Sequence, residues 1–267
     1  MNKSLAVHSY KGGTGKTLIS ANLAAICAKT GRNVCLLDYD FRAPTLQILF
    51  KSTPKHWLND FLEGDCTIKE VVEEVNCGTK GKLMVGYANP SSRAMRRMMT
   101  KDRTAEMTAL HSILSAKTTI YRDLKIDYLF FDTGPGLSYS SANALAASDT
   151  VLLVMKVDEF DVEGTRELIH GIYDTLGRKT AILLNKVVTN EDPLRKIGPI
   201  ERWHREETLA KDLEAMFACP VLGMIPCYPD ILRAGGKLVH ALHRPQHPMI
   251  KALSAALKKL EFLTSPP

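Results

Sequence analysis

The residues with the most chemistry in them come early in the chain. Tyr10-Lys11-Gly12-Gly13-Thr14-Gly15-Lys16-Thr17 lies between a short apolar run and a segment of helical period. In that context a glycine string becomes a phosphate cradle rather than a surface turn. Gly12, Gly13 and Gly15 let the backbone bend and approach an anion, so that successive amide hydrogens and a helix N-terminus converge on it. Lys16 would bring a point charge to the terminal phosphates, and the Thr17 hydroxyl would be placed to bind Mg²⁺. The strict spacing G-x-x-x-x-G-K-[ST] fails at its first position, which is Tyr10, and a second lysine, Lys11, precedes the paired glycines.

Three carboxylates are candidates to work with this cradle. Asp132 follows the apolar run Tyr128-Leu129-Phe130-Phe131 and precedes Gly134 and Gly136. It should emerge at the carboxyl edge of a sheet, where ligands of open α/β sheets bind, and hold Mg²⁺ directly or through water. Asp38 and Asp40 leave the second apolar run two residues apart, on one side if the strand reaches them. Asn185 ends another apolar run, and its amide offers both a donor and an acceptor to a purine edge. The stretch Pro226-Cys227-Tyr228-Pro229 either walls a base through backbone contacts or is a plain turn.

These residues need a frame to hold them. The 267 residues are 45% hydrophobic and 24% charged, with 17 Gly and 13 Pro, which excludes collagen-like, fibrous and disordered classes. Short Val/Leu/Ile runs near residues 4–8, 33–37, 82–87, 126–131, 150–156, 180–184 and 220–225 alternate with helical segments. This pattern predicts an α/β fold in a single domain over 1–267, a mostly parallel twisted sheet with helices on both faces. A helix over 17–29 should end at Gly31. The final helix, 248–263, carries Ile250, Leu253, Leu257 and Leu260 at helical spacing and is read as core packing in preference to a membrane-surface helix. No run approaches the length of a membrane span, and the glycine loop begins too early to leave room for a signal peptide, so a cytoplasmic location is expected. Six scattered cysteines without a C-x-x-C pair should be reduced and packed as small hydrophobes. The histidines lack metal-ligand spacing and are read as structural or exposed.

K-G-G-T-G-K-T resembles the deviant Walker A motif of the MinD/ParA family of P-loop ATPases. The resemblance extends to Asp38-Tyr39-Asp40, to Asp132-Thr133-Gly134-Pro135-Gly136 as a Walker B loop, and to Asn185-Lys186 and the Pro226-Cys227 run as base-binding elements. It implies a slow, Mg²⁺-dependent, partner-stimulated ATPase that binds ATP and dimerises on it. In that scheme Lys11 reaches the nucleotide of the other subunit, Asp40 orients the attacking water, and Asp38 supports the metal. Asn185, Pro226 and Cys227 would then contact the base. The implied output is the positioning or regulation of a partner complex of the cell-division or partitioning class. A nucleotide-gated DNA- or protein-binding module with little turnover, an ATPase accessory to metal-centre assembly, and, last, a small-molecule kinase are the alternatives.

Net charge is only +6, which permits anionic partners without demanding them. The densest positive stretch, Ser92 to Arg103, holds Arg93, Arg96, Arg97, Lys101 and Arg103 with Met95, Met98 and Met99. It is read either as a solvated face or as a basic-apolar helix for DNA, acidic lipid or a regulatory protein. A membrane role is disfavoured, because the last helix is needed by the core.

Overall fold

In a computed structural model that describes residues 2–188 and 206–263, eight strands form one sheet: β1 (Lys3–His8), β2 (Val34–Tyr39), β3 (Glu73–Glu74), β4 (Leu83–Gly86), β5 (Tyr128–Thr133), β6 (Thr150–Met155), β7 (Lys179–Val187) and β8 (Val221–Pro226). Their spatial order is β3-β4-β2-β5-β1-β6-β7-β8. Every pairing is parallel except β3 with β4. The expected strands thus appear within one to three residues of their sequence positions. The short antiparallel edge strand β3 was not foreseen, since two glutamates carry no strand period.

The helices are α1 (Lys16–Lys29), α2 (Leu46–Phe50), α3 (Leu58–Glu63), α4 (Ile68–Val71), α5 (Ser92–Met99), α6 (Arg103–Arg122), α7 (Tyr139–Ala147), α8 (Glu159–Leu168), α9 (Asp174–Leu176), α10 (Glu206–Phe217), α11 (Pro229–Arg233), α12 (His240–His243) and α13 (Pro248–Leu263). A π-helical turn, Ile169–Tyr173, joins α8 to α9. The sheet's alternation sorts the core into two layers. Ala6, Leu37, Phe131 and Leu153 belong to one, with Ile113, Ile120 and Leu145 of α6 and α7; Val7, Leu36, Phe130 and Leu152 belong to the other, with α1 and α13. α1 is apolar nearly all round and buried on almost every side, because α12 and α13 cover the face it turns away from the sheet. Ile250, Leu253, Leu257 and Leu260 are accordingly buried, and α13 is a core helix. Cys27 and Cys35 are fully buried free thiols, pushed up by desolvation to about 12.

The basic stretch departs from expectation. It is two helices, not one face. The chain breaks at 100–102, where Asp102 caps α6 by accepting from the Ala105 amide at 2.8 Å. Lys101 is largely buried and, with Arg97, reaches the single carboxylate of Glu63, at 3.6 and 3.0 Å. Arg93, Arg96 and Arg103 remain exposed.

Candidate functional site

β1 is central, and its carboxyl end delivers the glycine loop into α1. Gly15 adopts φ 97° and caps α1 without any side-chain hydrogen bond, so the first-turn amides keep their donors for an anion. An alanine at 15 would be strained and would bring a Cβ to 2.5 Å from Asn185 Nδ2. Tyr10, at the position where the strict motif has glycine, lays its ring against Gly164 of α8, where a Cβ would collide with it. The loop is therefore braced by α8 in place of a first glycine turn.

Period-two alternation puts Asp38 on the same face as Leu36, and Asp132 on the same face as Phe130. That is the α1 side. The two strands are in register at Asp38 and Asp132, so both carboxylates are held near each other, fully buried, beneath the start of α1. They are satisfied differently. Asp38 accepts from the amides of Asp40 (3.1 Å) and Leu46 (3.2 Å) and so pins the loop between β2 and α2. Desolvation, and then the charges of Asp132 and Asp40, raises its carboxyl well above the usual range. Its lone pairs serve the loop, which fits the supporting role expected of it better than direct metal contact.

Among the described residues nothing hydrogen-bonds to either buried oxygen of Asp132. The nearby Ser20 hydroxyl donates instead to the carbonyls of Lys16 and Thr17. Desolvation pushes the Asp132 carboxyl up to about 7 against the counter-pull of the Thr17 and Ser20 hydroxyls and Lys16. A buried carboxylate with both oxygens idle beside a threonine hydroxyl and an uncapped helix start is a donor set that suits a hard, oxygen-ligated cation with phosphates. The residues present therefore fit Mg²⁺ and a nucleotide. Without them the buried charge is a burden on the fold. The native state favours protonated Asp132, so the penalty is absent below about pH 4 and complete above about pH 7. Asp132→Asn should accordingly stabilise the nucleotide-free, magnesium-free protein by on the order of 2–3 kcal/mol at pH 8 and by little near pH 4.5. Thermal melts at the two pH values check this, and a loss of stability at pH 8 would contradict it.

Lys16 is buried, and its Nζ donates to Ser9 Oγ at 2.8 Å. Desolvation lowers its pKa, while Asp132, Asp40 and Asp161 hold it up. Asp40 lies just beyond β2, over Gly134: its Oδ1 accepts from the Arg42 and Ala43 amides and stands 3.0 Å from where a Cβ of residue 134 would be. Glycine at 134 is thus what lets the two loops close on each other. Lys11 is turned aside from its own cradle. Its Nζ reaches Asp158 Oδ1 at 3.3 Å and lies 4.9 Å from the centre of the Phe160 ring.

The base-side residues also come together. Asn185, Pro226 and Cys227 line a pocket of about 290 Å³ with Gly15, Leu18 and Tyr228. Asn185 Nδ2 donates to the Thr14 carbonyl at 2.7 Å, so the amide oxygen and one hydrogen remain for a ligand. Lys186, expected with Asn185 on the base side, lines the same pocket, whereas Ser9 and the Gly235-Gly236 turn were not foreseen. Lys186 donates to the Gly13 carbonyl at 2.7 Å, Ser9 anchors Lys16, and the Gly235-Gly236 turn after α11 closes the base pocket.

His8 is a structural histidine, as its lack of metal-ligand spacing suggested, with partners the sequence did not announce. It is fully buried; Nε2 bonds the Gly136 carbonyl at 2.9 Å and Nδ1 meets the Tyr173 hydroxyl. A carbonyl only accepts, so Nε2 carries the hydrogen and Nδ1 accepts from Tyr173. The ring thereby ties the loop after Asp132 to the π-helical turn. Burial lowers its pKa to about 4. This neutral histidine contributes fully above pH 6.5, and the contribution is lost as pH falls through that value toward 4. The stability difference between the wild type and His8→Gln should therefore shrink by about 2–3 kcal/mol between pH 7 and pH 4. Urea unfolding across that range measures it, and a constant difference would refute the assignment.

A central parallel sheet, a glycine loop feeding an uncapped helix, and buried acids at the carboxyl edge define a P-loop nucleotide-binding protein. Comparison with known proteins agrees. The family model for the AAA domain matches residues 2–184. An ATP-binding protein of Methanocaldococcus jannaschii is 27% identical over 261 residues, covering 96% of this chain and 87% of that one. The septum site-determining protein MinD of Synechocystis is 24% identical over 85% of this chain and 76% of its own. The structure of MinD from Pyrococcus horikoshii, complexed with Mg-ADP, superposes with a TM-score of 0.77 at 18% identity, covering 99% of this chain and 98% of that one. The chain belongs to the MinD/ParA family of P-loop ATPases.

Proposed function

We propose that the chain is an ATP-driven dimerisation switch that positions or regulates a partner complex of the division or partitioning class. The observation that carries this reading is Lys11: a half-exposed lysine beside the cradle but parked on Asp158 and Phe160, free to be exchanged for a phosphate presented by a second copy.

The amides of Gly12 to Thr17 and the Lys16 ammonium bind the phosphates, while Asn185, Pro226 and Cys227 hold the base. Thr17 and Asp132 hold Mg²⁺, with Asp38 fixing the loop beside them. The metal, when bound, neutralises charge on the phosphate oxygens. Asp40 accepts a hydrogen bond from the attacking water and aligns it with the phosphorus, and Lys11 of a second subunit meets the charge that spreads over the transferred group. ATP favours the dimer because Lys11 gains a partner that ADP lacks, and hydrolysis removes it. A regulatory protein is the partner this cycle serves.

Asp40→Ala should reduce phosphate release by about 10²- to 10³-fold while the mass measured by light scattering still doubles with Mg-ATP, because Asp40 acts on the water and not on association. A variant that stays monomeric at saturating Mg-ATP would remove the switch.

A further inference from the structure

Beside the nucleotide loops, and apart from the base pocket, lies a hollow of about 470 Å³ between α5, α6 and α7. Phe41, Met98, Leu137 and Ile172 give it an apolar lining. Met99, Leu137 and Tyr139 at its mouth are 63%, 53% and 61% exposed. Such a cluster of solvent-facing apolar side chains around a concavity is the signature of a binding surface, not of a scattered exterior.

Charge around it is one-sided. Arg42 and Lys101 line the hollow, and Arg96, three residues before Met99, shares a helical stripe with it on the outer lip. Glu63 answers Arg97 and Lys101 only; among the described residues no ion pair answers Arg42, Arg93, Arg96 or Arg103. Among the described residues of the lining the one carboxylate, Glu106, is buried and accepts from Asn143 Nδ2 at 3.1 Å.

We propose that this hollow docks a protein segment in which one bulky apolar side chain is flanked by carboxylates. The apolar anchor fills the space between Phe41, Met98 and Leu137, and the acids meet Arg42, Arg93 and Arg96. A DNA backbone matches the arginines but offers nothing for the hollow, so the combined chemistry selects a peptide. The two lips belong to the loops that follow the candidate hydrolytic residues: Arg42 is two residues after Asp40, and Leu137 adjoins Gly136, which His8 grips. An occupant therefore touches the same loops that close around the phosphates. The inference rests on the dimer-switch reading and names the chemistry of its partner.

The test uses the full chain in Mg-ATP with fluorescein-labelled acidic peptides centred on one Trp, Phe or Leu, read by anisotropy. A centred-aromatic acidic peptide should bind, and replacing its anchor by Ser, or its acids by their amides, should weaken it about tenfold or more. Arg96→Glu and Met99→Asp, both on exposed side chains, should weaken it as much while leaving peptide-free ATP turnover unchanged. Equal binding to the variants would overturn the proposal. So would failure of every peptide to bind while a short DNA duplex, or vesicles containing phosphatidylserine, bind and lose binding in Arg96→Glu. Light scattering in the same samples separates the causes. A protein that dimerises but ignores the peptides sinks this inference alone; one that does not dimerise sinks the reading beneath it.

Discussion

Lys16→Ala should lower ATP turnover by about 10³-fold or more and weaken ADP binding by at least about tenfold, the larger loss falling on turnover because charge on the phosphate oxygens grows toward the transition state. The reason lies in the burial of the site. Lys16 is the cation that Asp132, Asp40 and Asp161 surround, and it is held on Ser9 Oγ at 2.8 Å. Removing it leaves the phosphates facing three carboxylates across a poorly hydrated gap, where the repulsion is weakly screened. Asp132 can take up a proton in response, its carboxyl already standing at about 7, so the fold should survive near neutral pH. Titration with a fluorescent ADP analogue and a phosphate-release assay read the two effects, with far-UV circular dichroism confirming the fold. Lys16→Arg is the useful companion. It keeps the charge but cannot fit the Ser9 geometry, and it should recover binding more than turnover. A variant that hydrolyses ATP within about tenfold of the wild type would show that the cradle's charge comes from elsewhere.

What the sequence disclosed, and what it hid, divides along the range of the interactions involved. The glycine loop, the strands and the carboxylates at their ends are local. Alternation along β2 and β5 decides that Asp38 and Asp132 share the α1 face, and a reader of the sequence needs only the period to see it. α13 was legible for the same reason. The partners of the key side chains are not local. Lys11 and Asp158 are 147 residues apart, Asn185 and Thr14 171, and Lys186 and Gly13 173. Each pair meets only because β1, β6 and β7 lie side by side, an order that no single segment encodes. His8, expected to be structural or exposed, is structural, but its partners were not legible. Its meaning comes from Gly136 and Tyr173, one on a loop and one on a π-helical turn, neither of which its own strand pattern announces. The basic stretch was overread as one face because charge density was weighed without the helix stop at Thr100–Asp102 or the claim of Glu63 on two of its five cations.

Lys11→Ala should cut turnover by about 10²- to 10³-fold and abolish ATP-dependent doubling in mass, yet leave ADP affinity within about threefold of the wild type. The split follows from geometry: the side chain touches Asp158 and Phe160, not its own cradle, so nothing in cis is lost when it goes. Asp158→Ala should act in the opposite sense. The half-exposed ion pair is worth at most about 1 kcal/mol, so freeing Lys11 should shift the protein concentration needed for dimerisation by no more than about fivefold, downward. Mixing two defective proteins distinguishes trans from cis. Lys11→Ala retains Asp40, and Asp40→Ala retains Lys11. In a mixed dimer the first subunit's nucleotide faces an intact Asp40 and receives Lys11 from its mate, so one of the two sites should turn over and activity should return to a sizeable fraction of the wild type. If Lys11 served only its own nucleotide, neither subunit would hold a complete set, and mixing would restore nothing. Mixed dimers that form but stay inactive would therefore place Lys11 in cis and end the switch as described.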